Sequence, residues 1–371
     1  MKKLALTMIV RDEAERLPAF LSHHRGLYDQ LVVVDTGSED ETVALLDETG
    51  ATVLSATWGD DFAAARNIGL DQVTADWVLF LDADERVAQA DFAALRATMD
   101  CAPDKVFLQE TWNYCPGTSH LEWQPLPGRY PQEESNQTGM FVARRVGLFP
   151  RRADLRFSGL VHESVLPAAT AAGLKVVPLD IPVHHYGYSG DQAHNAARQA
   201  RYRHLVELKH AANPDDPSAQ LELATVYLED GDSAGALTLL HAVAGGPAGL
   251  RPVVRGLVLC GRLHREMGQP NEAEKLLAEA VRQDPDFVFA WLEQIRLAAE
   301  ARDWPGAERL LHEAEGRFGP GHPQFLREAL RVQIYRQRLP EALATAERLI
   351  SFCPQWQEIR DLSHRLRRML Q

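Results

Sequence analysis

The chain has 371 residues, of which 45% are hydrophobic and 25% charged, and this ordinary globular mixture excludes wholesale disorder. Its 39 Lys and Arg against 52 Asp and Glu give a net charge of −13, which disfavours nucleic acid and anionic lipid as partners. The four cysteines form no CxxC pair, and the first apolar run, Leu4–Val10, is too short for a signal peptide or a membrane span. We therefore predict a cytoplasmic protein without a transmembrane segment.

Strand and helix patterns alternate over the first ninety residues. The predicted strands are short apolar runs, at 4–10, 31–34, 51–55 and 77–81. Helices are expected between them, at 13–25, after Ser38 and at 62–72. Ser38 and Glu41 have capping-box spacing, and Asp61 is expected to cap the helix that follows it. This alternation indicates an α/β fold, a doubly wound and mostly parallel sheet with helices on both faces.

The middle of the chain has a less regular pattern. The stretch 111–137 is rich in aromatic, Pro and Gly residues and predicts long loops. Strands are expected at 141–149 and 176–183, and a helix at 191–212. The Pro- and Asp-rich cluster at 213–217 predicts a domain boundary. The expected parts are an α/β domain, a connecting helix and an all-α domain, at 1–190, 191–213 and 214–371.

Beyond that boundary, Ala- and Leu-rich helical patterns replace the strand patterns, and a period appears. Equivalent alanines recur 37, 34 and 35 residues apart, at Ala236, Ala273, Ala307 and Ala342. A helix pair of about 34 residues is the tetratricopeptide period. We predict three to four such repeats, with an unrelated helical bundle as the alternative. Cys260 and Cys353 are expected in the repeat cores as small apolar residues.

An acidic sequence, Asp82-Ala83-Asp84, follows the apolar run at 77–81. Residues two apart lie on one face of an extended chain, so both carboxylates can point into one pocket. In open α/β sheets, ligands bind beyond the carboxyl ends of the strands, where Asp35 is also expected. Because Mg²⁺ is usually held by one or two carboxylates together with phosphate oxygens, this pattern predicts a divalent-cation site.

Six spaced segments carry a family resemblance. In order they read MIVRDE, VVVDTGSEDET, DFAAARN, WVLFLDADE, FSGLVHE and HHYGY, at 8–13, 32–42, 61–67, 77–85, 157–163 and 184–188. They resemble the successive motifs of family 2 glycosyltransferases with the GT-A fold. The last two segments resemble a bacterial branch whose catalytic domain is fused to tetratricopeptide repeats. The resemblance covers about the first 190 residues, and the helical repeats agree with it.

The resemblance implies transfer of a sugar from a nucleotide-sugar, of the UDP-sugar class, to an acceptor, with inversion at the anomeric carbon. It implies that Val10, Arg11 and Glu13 flank the nucleotide. Asp35 would accept hydrogen bonds from the uracil or ribose, and Arg66 would lie near the base or pyrophosphate.

The resemblance also implies a divalent cation, Mn²⁺ or Mg²⁺. Asp82 would meet the ribose or a metal-bound water, and Asp84 would ligate the ion. A third ligand in this fold comes from a late His or Asp, for which His184 or His185 is available. Strand neighbours point oppositely, so we expect one of these two at the metal and the other packed or solvated. An imidazole beside carboxylate and phosphate oxygens suits Mn²⁺ slightly better than Mg²⁺.

A carboxylate base would help to remove the acceptor's proton. Glu163 occupies the motif position where the family often carries its base, so it is the first candidate. Glu85 and Glu110 are weaker candidates for the same role.

Other interpretations stay open at this stage. Asp35 has an alternative as a capping group at a helix entry, and Arg66 as the ion-pair partner of Asp60 or Asp61. For the whole chain, a nucleotidyltransferase would use a similar sheet and acidic pair, and a non-catalytic scaffold would use only the repeats. Repeat arrays present extended concave surfaces, which favours a protein or peptide acceptor docked on them, or a partner that localises the enzyme.

Overall fold

The computed structural model describes residues 2–100, 104–115, 122–187, 192–353 and 356–371. The predicted boundary between 190 and 191, and Tyr188 of the last motif, lie outside these residues. The chain divides into two compact units, Met1–Lys209 and His210–Gln371. This division falls inside the segment 191–213 that the sequence analysis assigned to a connecting helix.

The first unit contains an eight-stranded sheet in the order β3-β2-β1-β4-β7-β6-β8-β5. Its strands are β1 (Leu4–Val10), β2 (Gln30–Asp35), β3 (Thr52–Ser55), β4 (Trp77–Phe80), β5 (Glu85–Val87), β6 (Lys105–Tyr114), β7 (Met140–Pro150) and β8 (Lys175–His185). The first four strands are parallel, and so is the β6–β8 pair, whereas β7 and β5 pair antiparallel with their neighbours. The predicted α/β class with helical repeats after it is confirmed.

Helices cover both faces of this sheet. They are α1 (Leu17–His23), α2 (Thr42–Asp47), α3 (Phe62–Leu70), α4 (Phe92–Asp100) and α5 (Leu166–Ala171). The next helix, α6 (Gln192–Ala212), spans the division between the two units. Alternate residues of β1 face opposite sides, so Leu4 and Leu6 join the core with α1, α2 and α4, while Ala5 joins the core with α3 and α5. Burial on both faces explains why these strands read as continuous apolar runs.

Two local predictions in this unit were wrong and one is confirmed. Ser38 does not cap α2, because its hydroxyl accepts a hydrogen bond from the backbone N–H of Asp12 at 2.9 Å instead. Residues 111–114 are not loop, because β6 continues to Tyr114 between β7 and β8. Asp61 caps α3 as predicted, with its carboxylate accepting from the backbone N–H of Ala64 at 2.8 Å.

The second unit is a series of antiparallel helices. The described helices are α7 (Pro217–Glu229), α8 (Ser233–Ala244), α9 (Arg251–Glu266), α10 (Pro270–Gln283), α11 (Val288–Glu300), α12 (Trp304–Phe318), α13 (Pro323–Tyr335), α14 (Leu339–Phe352) and α15 (Gln357–Leu370). The four periodic alanines are fully buried near the start of the second helix of each pair. Cys260 and Cys353 are also fully buried, as predicted. Within the described residues, every helix is too short or too polar to cross a bilayer.

Candidate active site

The loops that follow β1 and β2 are joined by hydrogen bonds at the carboxyl edge of the sheet. The carboxylate of Asp12 accepts from the backbone N–H of Glu39 at 2.7 Å, and the backbone N–H of Glu13 donates to Thr42 Oγ1 at 2.8 Å. Asp12 has a φ of +55°, a left-handed conformation that is costly for a residue with a Cβ. These bonds fix the loop after β1 to the loop after β2, and the two loops together form one wall of the candidate site.

Val10 and Asp35 shape this wall from within. The carbonyl oxygen of Val10 accepts from both the N–H and the hydroxyl of Thr36, at 3.0 and 3.1 Å. Asp35 is buried, and its carboxylate accepts from the backbone N–H groups of Gly37 and Ser38. Asp35 thus stabilises the turn after β2. Each carboxylate oxygen has two lone pairs, so these bonds leave capacity for a ligand donor.

A buried arginine joins two of the predicted site residues. Arg66 on α3 donates from Nη2 to Asp82 Oδ1 at 2.9 Å and from Nε to Glu163. Its guanidinium carbon lies 4.6 Å from the centroid of the Phe80 ring. The pKa of Arg66 is raised, since the charges of Asp82 and Glu163 outweigh the effect of burial. The alternative partners Asp60 and Asp61 are therefore not those of Arg66, which bridges Asp82 and Glu163 instead.

The segment that carries Glu163 is held in place by α3. Asn67 exchanges two hydrogen bonds with the backbone of Phe157, at 3.0 and 2.9 Å, and Phe62 N–H donates to the carbonyl of Leu160 at 3.1 Å. The segment closes on itself through paired backbone bonds between Ser158 and Ser164, both 3.0 Å. These contacts fix the position of the Glu163 side chain, which is 10% exposed.

His185 and Asp84 form a pair at the end of β8. His185 Nε2 lies 3.3 Å from Asp84 Oδ2, and His185 Nδ1 lies 2.7 Å from Asn113 Oδ1. The amide nitrogen of Asn113 donates to two backbone carbonyls, so its oxygen must face the imidazole. An amide oxygen only accepts, and Nδ1 of His185 therefore carries the proton. Burial alone would lower the pKa of His185, but the hydrogen bond and charge of Asp84 outweigh it and raise the pKa.

A glycine lies directly against this pair. A Cβ atom on Gly187 would lie 2.6 Å from His185 Nε2 and closer still to Asp84 Oδ2. A side chain at this position would thus occupy the space between the carboxylate and the imidazole. Glycine leaves that space open.

His184 points away from Asp84 and is fully buried. Its Nδ1 is 2.8 Å from the hydroxyl of Tyr114, and the rings of Trp112 and Tyr130 pack against it. Burial lowers the pKa of His184 to about 4. The structure therefore places His185, and not His184, beside the predicted metal ligand Asp84.

Further acidic groups surround the site. Glu13 bonds Arg16 at 2.9 Å, and its pKa is raised, first by burial and also by the charges of Asp84 and Asp82. Glu85 is buried in a bidentate pair with Arg145, at 2.8 and 2.5 Å. The other weak base candidate, Glu110, pairs with Arg144, while Arg11 lies 3.8 Å from Asp12. Glu85 and Glu110 are thus both engaged in ion pairs.

Comparisons with known proteins agree with these two units. Residues 7–154 match the family model described as Glycosyl transferase family 2. Models of the tetratricopeptide repeat match residues 254–297 and 292–355. The chain joins a glycosyltransferase family 2 domain to tetratricopeptide repeats.

Curated relatives cover only parts of the chain. A TPR repeat-containing protein of Synechococcus elongatus is 32% identical over 238 residues, which are 62% of this chain and 54% of that protein. The glycosyltransferase SunS of Bacillus subtilis is 21% identical over 57% of this chain and 46% of its own length. An uncharacterized glycosyltransferase of Rickettsia felis is 29% identical over 24% of this chain and 31% of its own. The chain thus spans between 31% and 54% of these relatives.

Solved structures are similar at a lower level. The S. aureus TarS fragment 1–349, in complex with UDP-GlcNAc, is 15% identical, with a TM-score of 0.39 over 85% of this chain and 92% of that one. A TPR protein of Thermus thermophilus, TTC0263, is 20% identical with the same TM-score, over 47% of this chain and 93% of that one. At TM-scores below 0.5, neither similarity indicates a ligand or a partner for this chain.

Sequence reasoning missed two residues of the glycosyltransferase domain that the geometry brings to the site. Asn113 lies in the stretch expected to be loop, and only the pairing of β6 with β8 places it opposite His185. Arg145 neutralises Glu85 from the middle of β7. Neither residue lies in a recognisable motif, so no local pattern would have found them.

Proposed function

We propose that this protein is a glycosyltransferase that moves a sugar from a UDP-sugar donor to an acceptor, with inversion and with help from a divalent cation. One observation carries the proposal. Asp84 and His185 form an oriented pair, and Arg66 bridges Asp82, two residues from Asp84, to the candidate base Glu163. The family 2 match supports the reaction class, while the donor, the stereochemistry and the cation are inferences from this chemistry.

The donor atoms present suit a cation, Mn²⁺ or Mg²⁺. Ligand bonds of about 2.1 Å at octahedral angles separate neighbouring ligand atoms by about 3.0 Å, close to the 3.3 Å between Asp84 Oδ2 and His185 Nε2. Because Asn113 holds a proton on Nδ1, His185 would bind an ion through Nε2, exchanging its hydrogen bond to Asp84 for a ligand bond. Bound there, the ion would supply Lewis-acid stabilisation of the charge that develops on the leaving diphosphate.

Residues of the chain itself would position the reactants. Arg66 Nη1 is buried and makes no hydrogen bond to a described residue, which leaves its two N–H donors for a ligand oxygen. Asp82 is 42% exposed and keeps one oxygen for the ribose or a water. Val10, Arg11, Glu13 and Asp35 form the wall against which the nucleotide would lie.

Glu163 would act as the base. Its Oε1 is held by Arg66, and its Oε2 makes no hydrogen bond to a described residue. As the acceptor oxygen forms its bond to the anomeric carbon and the bond to the diphosphate breaks, Oε2 would take the acceptor's proton. Arg66 would hold the Glu163 carboxylate in its orientation during this transfer, since the Glu163 side chain, at 10% exposure, has little freedom to move.

The test is release of UDP from a panel of UDP-sugars, with Mn²⁺ and with chelator. Asp84→Asn should reduce UDP release by at least about 100-fold, because the cation would lose its carboxylate ligand. Asp104→Asn is the matched control, because Asp104 precedes β6 at the end far from Asn113 and its side chain is 59% exposed. This variant should release UDP at the wild-type rate. Chelator-resistant turnover, or an Asp84→Asn enzyme as active as Asp104→Asn, would contradict the proposal. A fully folded wild type that is inactive with every donor would favour the scaffold interpretation.

We also propose that the repeats dock a protein or peptide acceptor, because repeat arrays offer extended binding surfaces. Deletion of residues 214–371 should spare hydrolysis of the donor but impair transfer to the acceptor. Equal transfer by the truncated enzyme would refute this role. The cytoplasmic location stays a prediction.

A further inference from the structure

Two histidines and a cysteine meet between two helices of the repeat unit. Cys260 and His264 are four residues apart on α9 and therefore share one helical face. His241 reaches them from α8, which packs against α9. One ligand atom from each of the three residues lies within 4.8 Å of the others.

The separations between these atoms are close to those of a tetrahedral site. His241 Nε2 lies 3.2 Å from His264 Nε2, and Cys260 Sγ lies 3.7 and 3.9 Å from the two ring nitrogens of His241. Zinc bonds of about 2.05 Å to nitrogen and about 2.3 Å to sulfur, at tetrahedral angles, put two nitrogens about 3.3 Å apart and nitrogen about 3.6 Å from sulfur. Because Cys260 Sγ is almost equally far from both ring nitrogens of His241, the exposed His241 ring would have to turn for its Nε2 to face the same ion as the thiolate.

A neighbouring glutamine orients one of the imidazoles. Gln269 Oε1 lies 2.5 Å from His264 Nδ1, and the backbone N–H of Gln269 donates to the carbonyl of His264 at 2.8 Å. A carbonyl oxygen only accepts, so Nδ1 of His264 carries the proton and Nε2 presents its lone pair to His241 and Cys260. Metal-bound histidines characteristically have such a partner on the other ring nitrogen.

Two of the three side chains are shielded from water, which favours binding of an ion over solvation of the three polar groups. Cys260 is fully buried and His264 is 6% exposed, while His241 is exposed and provides an entry path. Thiolate and imidazole are ligands that zinc prefers, whereas Mg²⁺ and Mn²⁺ favour oxygen. We propose that His241, Cys260 and His264 bind one Zn²⁺ ion that links α8 to α9. Three protein ligands leave the fourth position for water or an external ligand.

The experiment is titration of the metal-free full-length chain with Zn²⁺, and with Co²⁺ as a spectroscopic probe. One equivalent should bind in the Asp84→Asn background, which lacks a ligand of the cation site in the first unit, and Co²⁺ should give the charge-transfer absorption of a cobalt–thiolate bond. Cys260→Ala should abolish that absorption. Cys353→Ala removes another fully buried repeat cysteine and should retain it. Because Asp84→Asn alters only the glycosyltransferase site, it should also retain it, so this proposal and the proposed function can fail separately.

Stability gives a second measurement. At free zinc of about 100 times its dissociation constant, the equilibrium constant for unfolding should fall about 100-fold, and chelator should reverse the effect. His241→Gln changes an exposed residue and should fold normally, as circular dichroism would verify, yet lose the zinc-dependent stabilisation. In the Asp84→Asn background, zinc binding that survives Cys260→Ala or His241→Gln would overturn the proposal. The absence of a cobalt–thiolate band in the wild type would also overturn it.

Discussion

Gly187→Ala is the sharpest test of the candidate metal pair, because it adds one methyl group where the geometry has no room. The new Cβ would lie 2.6 Å from His185 Nε2 and closer still to Asp84 Oδ2. Reaching an ordinary contact distance requires a retreat of about 0.8 Å by the imidazole, and more by the carboxylate. The carboxylate and imidazole would then no longer share one ion at normal ligand distances.

We expect Gly187→Ala to weaken Mn²⁺ binding by about 10–100-fold, the usual effect of disturbing groups that orient metal ligands. Displacement of this size near a reacting centre costs on the order of 100-fold in turnover. Isothermal titration with Mn²⁺ and the rate of UDP release would measure the two effects. The free energy of unfolding should fall by about 1–3 kcal/mol, as is usual for overpacking.

Gly59→Ala is the matched control. A Cβ at Gly59 meets nothing within 4 Å, and its φ is not in the left-handed region. This variant should keep wild-type metal affinity and turnover. If Gly187→Ala bound Mn²⁺ and released UDP as Gly59→Ala does, the assignment of Asp84 and His185 as a ligand pair would be refuted.

Three further predictions concern groups that support the site or the fold. Arg66→Lys should lower turnover about 100-fold and destabilise the protein by about 3 kcal/mol in denaturant unfolding, since an ammonium cannot hold both carboxylates in their present geometry. Asn113→Leu should weaken Mn²⁺ binding about 10-fold with little change in fold by circular dichroism, because His185 loses the acceptor that fixes its tautomer. Burial, and secondarily His23, lowers the pKa of His24 from 6.5 to about 3, so between those values the unfolded chain binds a proton that the folded chain excludes. As the pH is lowered from 6.5 toward 3, stability should therefore decrease by about 1.4 kcal/mol per pH unit from this residue, and His24→Gln should flatten that slope in urea unfolding. Wild-type behaviour of any of these variants in its assay would contradict the corresponding interpretation.

The predictable part of the fold is the part built from local patterns. The strand at Leu4–Val10 and its two parallel neighbours could be found because both faces of each are buried. The fourth parallel strand, Thr52–Ser55, pairs with β2 and is only partly buried. Asp35 and Asp82 lie at the carboxyl ends of two strands of that parallel group. The topology alone therefore predicts that both residues lie at the same edge of the sheet. Ala236 and its periodic equivalents were found because helix crossings leave no space for a larger side chain.

The missed part depends on contacts between distant residues. The last four residues of the strand Lys105–Tyr114 include the buried polar residues Thr111 and Asn113, and their composition resembles that of the loop that follows. Asn113 is satisfied by Thr111, Phe141 and His185, of which the last is 72 residues away. The alternation of side chains along a strand predicts that His184 and His185 face opposite sides of the sheet. Only the structure shows that Asp84 lies on the side of His185.

The charge balance of the site gives the reason to expect a cation. Arg66 and Arg145 are each committed to carboxylates, Arg66 to Asp82 and Glu163 and Arg145 to Glu85. The positive charges of these two arginines are therefore largely neutralised by carboxylates of the protein itself, whose net charge is −13. A diphosphate entering this site would meet the carboxylates of Asp84 and Glu13, which are paired with His185 and Arg16, and an added ion would offset the repulsion between these groups and the diphosphate. UDP should accordingly bind in calorimetry with Mn²⁺ and lose that affinity after EDTA treatment. Equal binding in both conditions would mean that the site neutralises the diphosphate by a route these ion pairs do not provide.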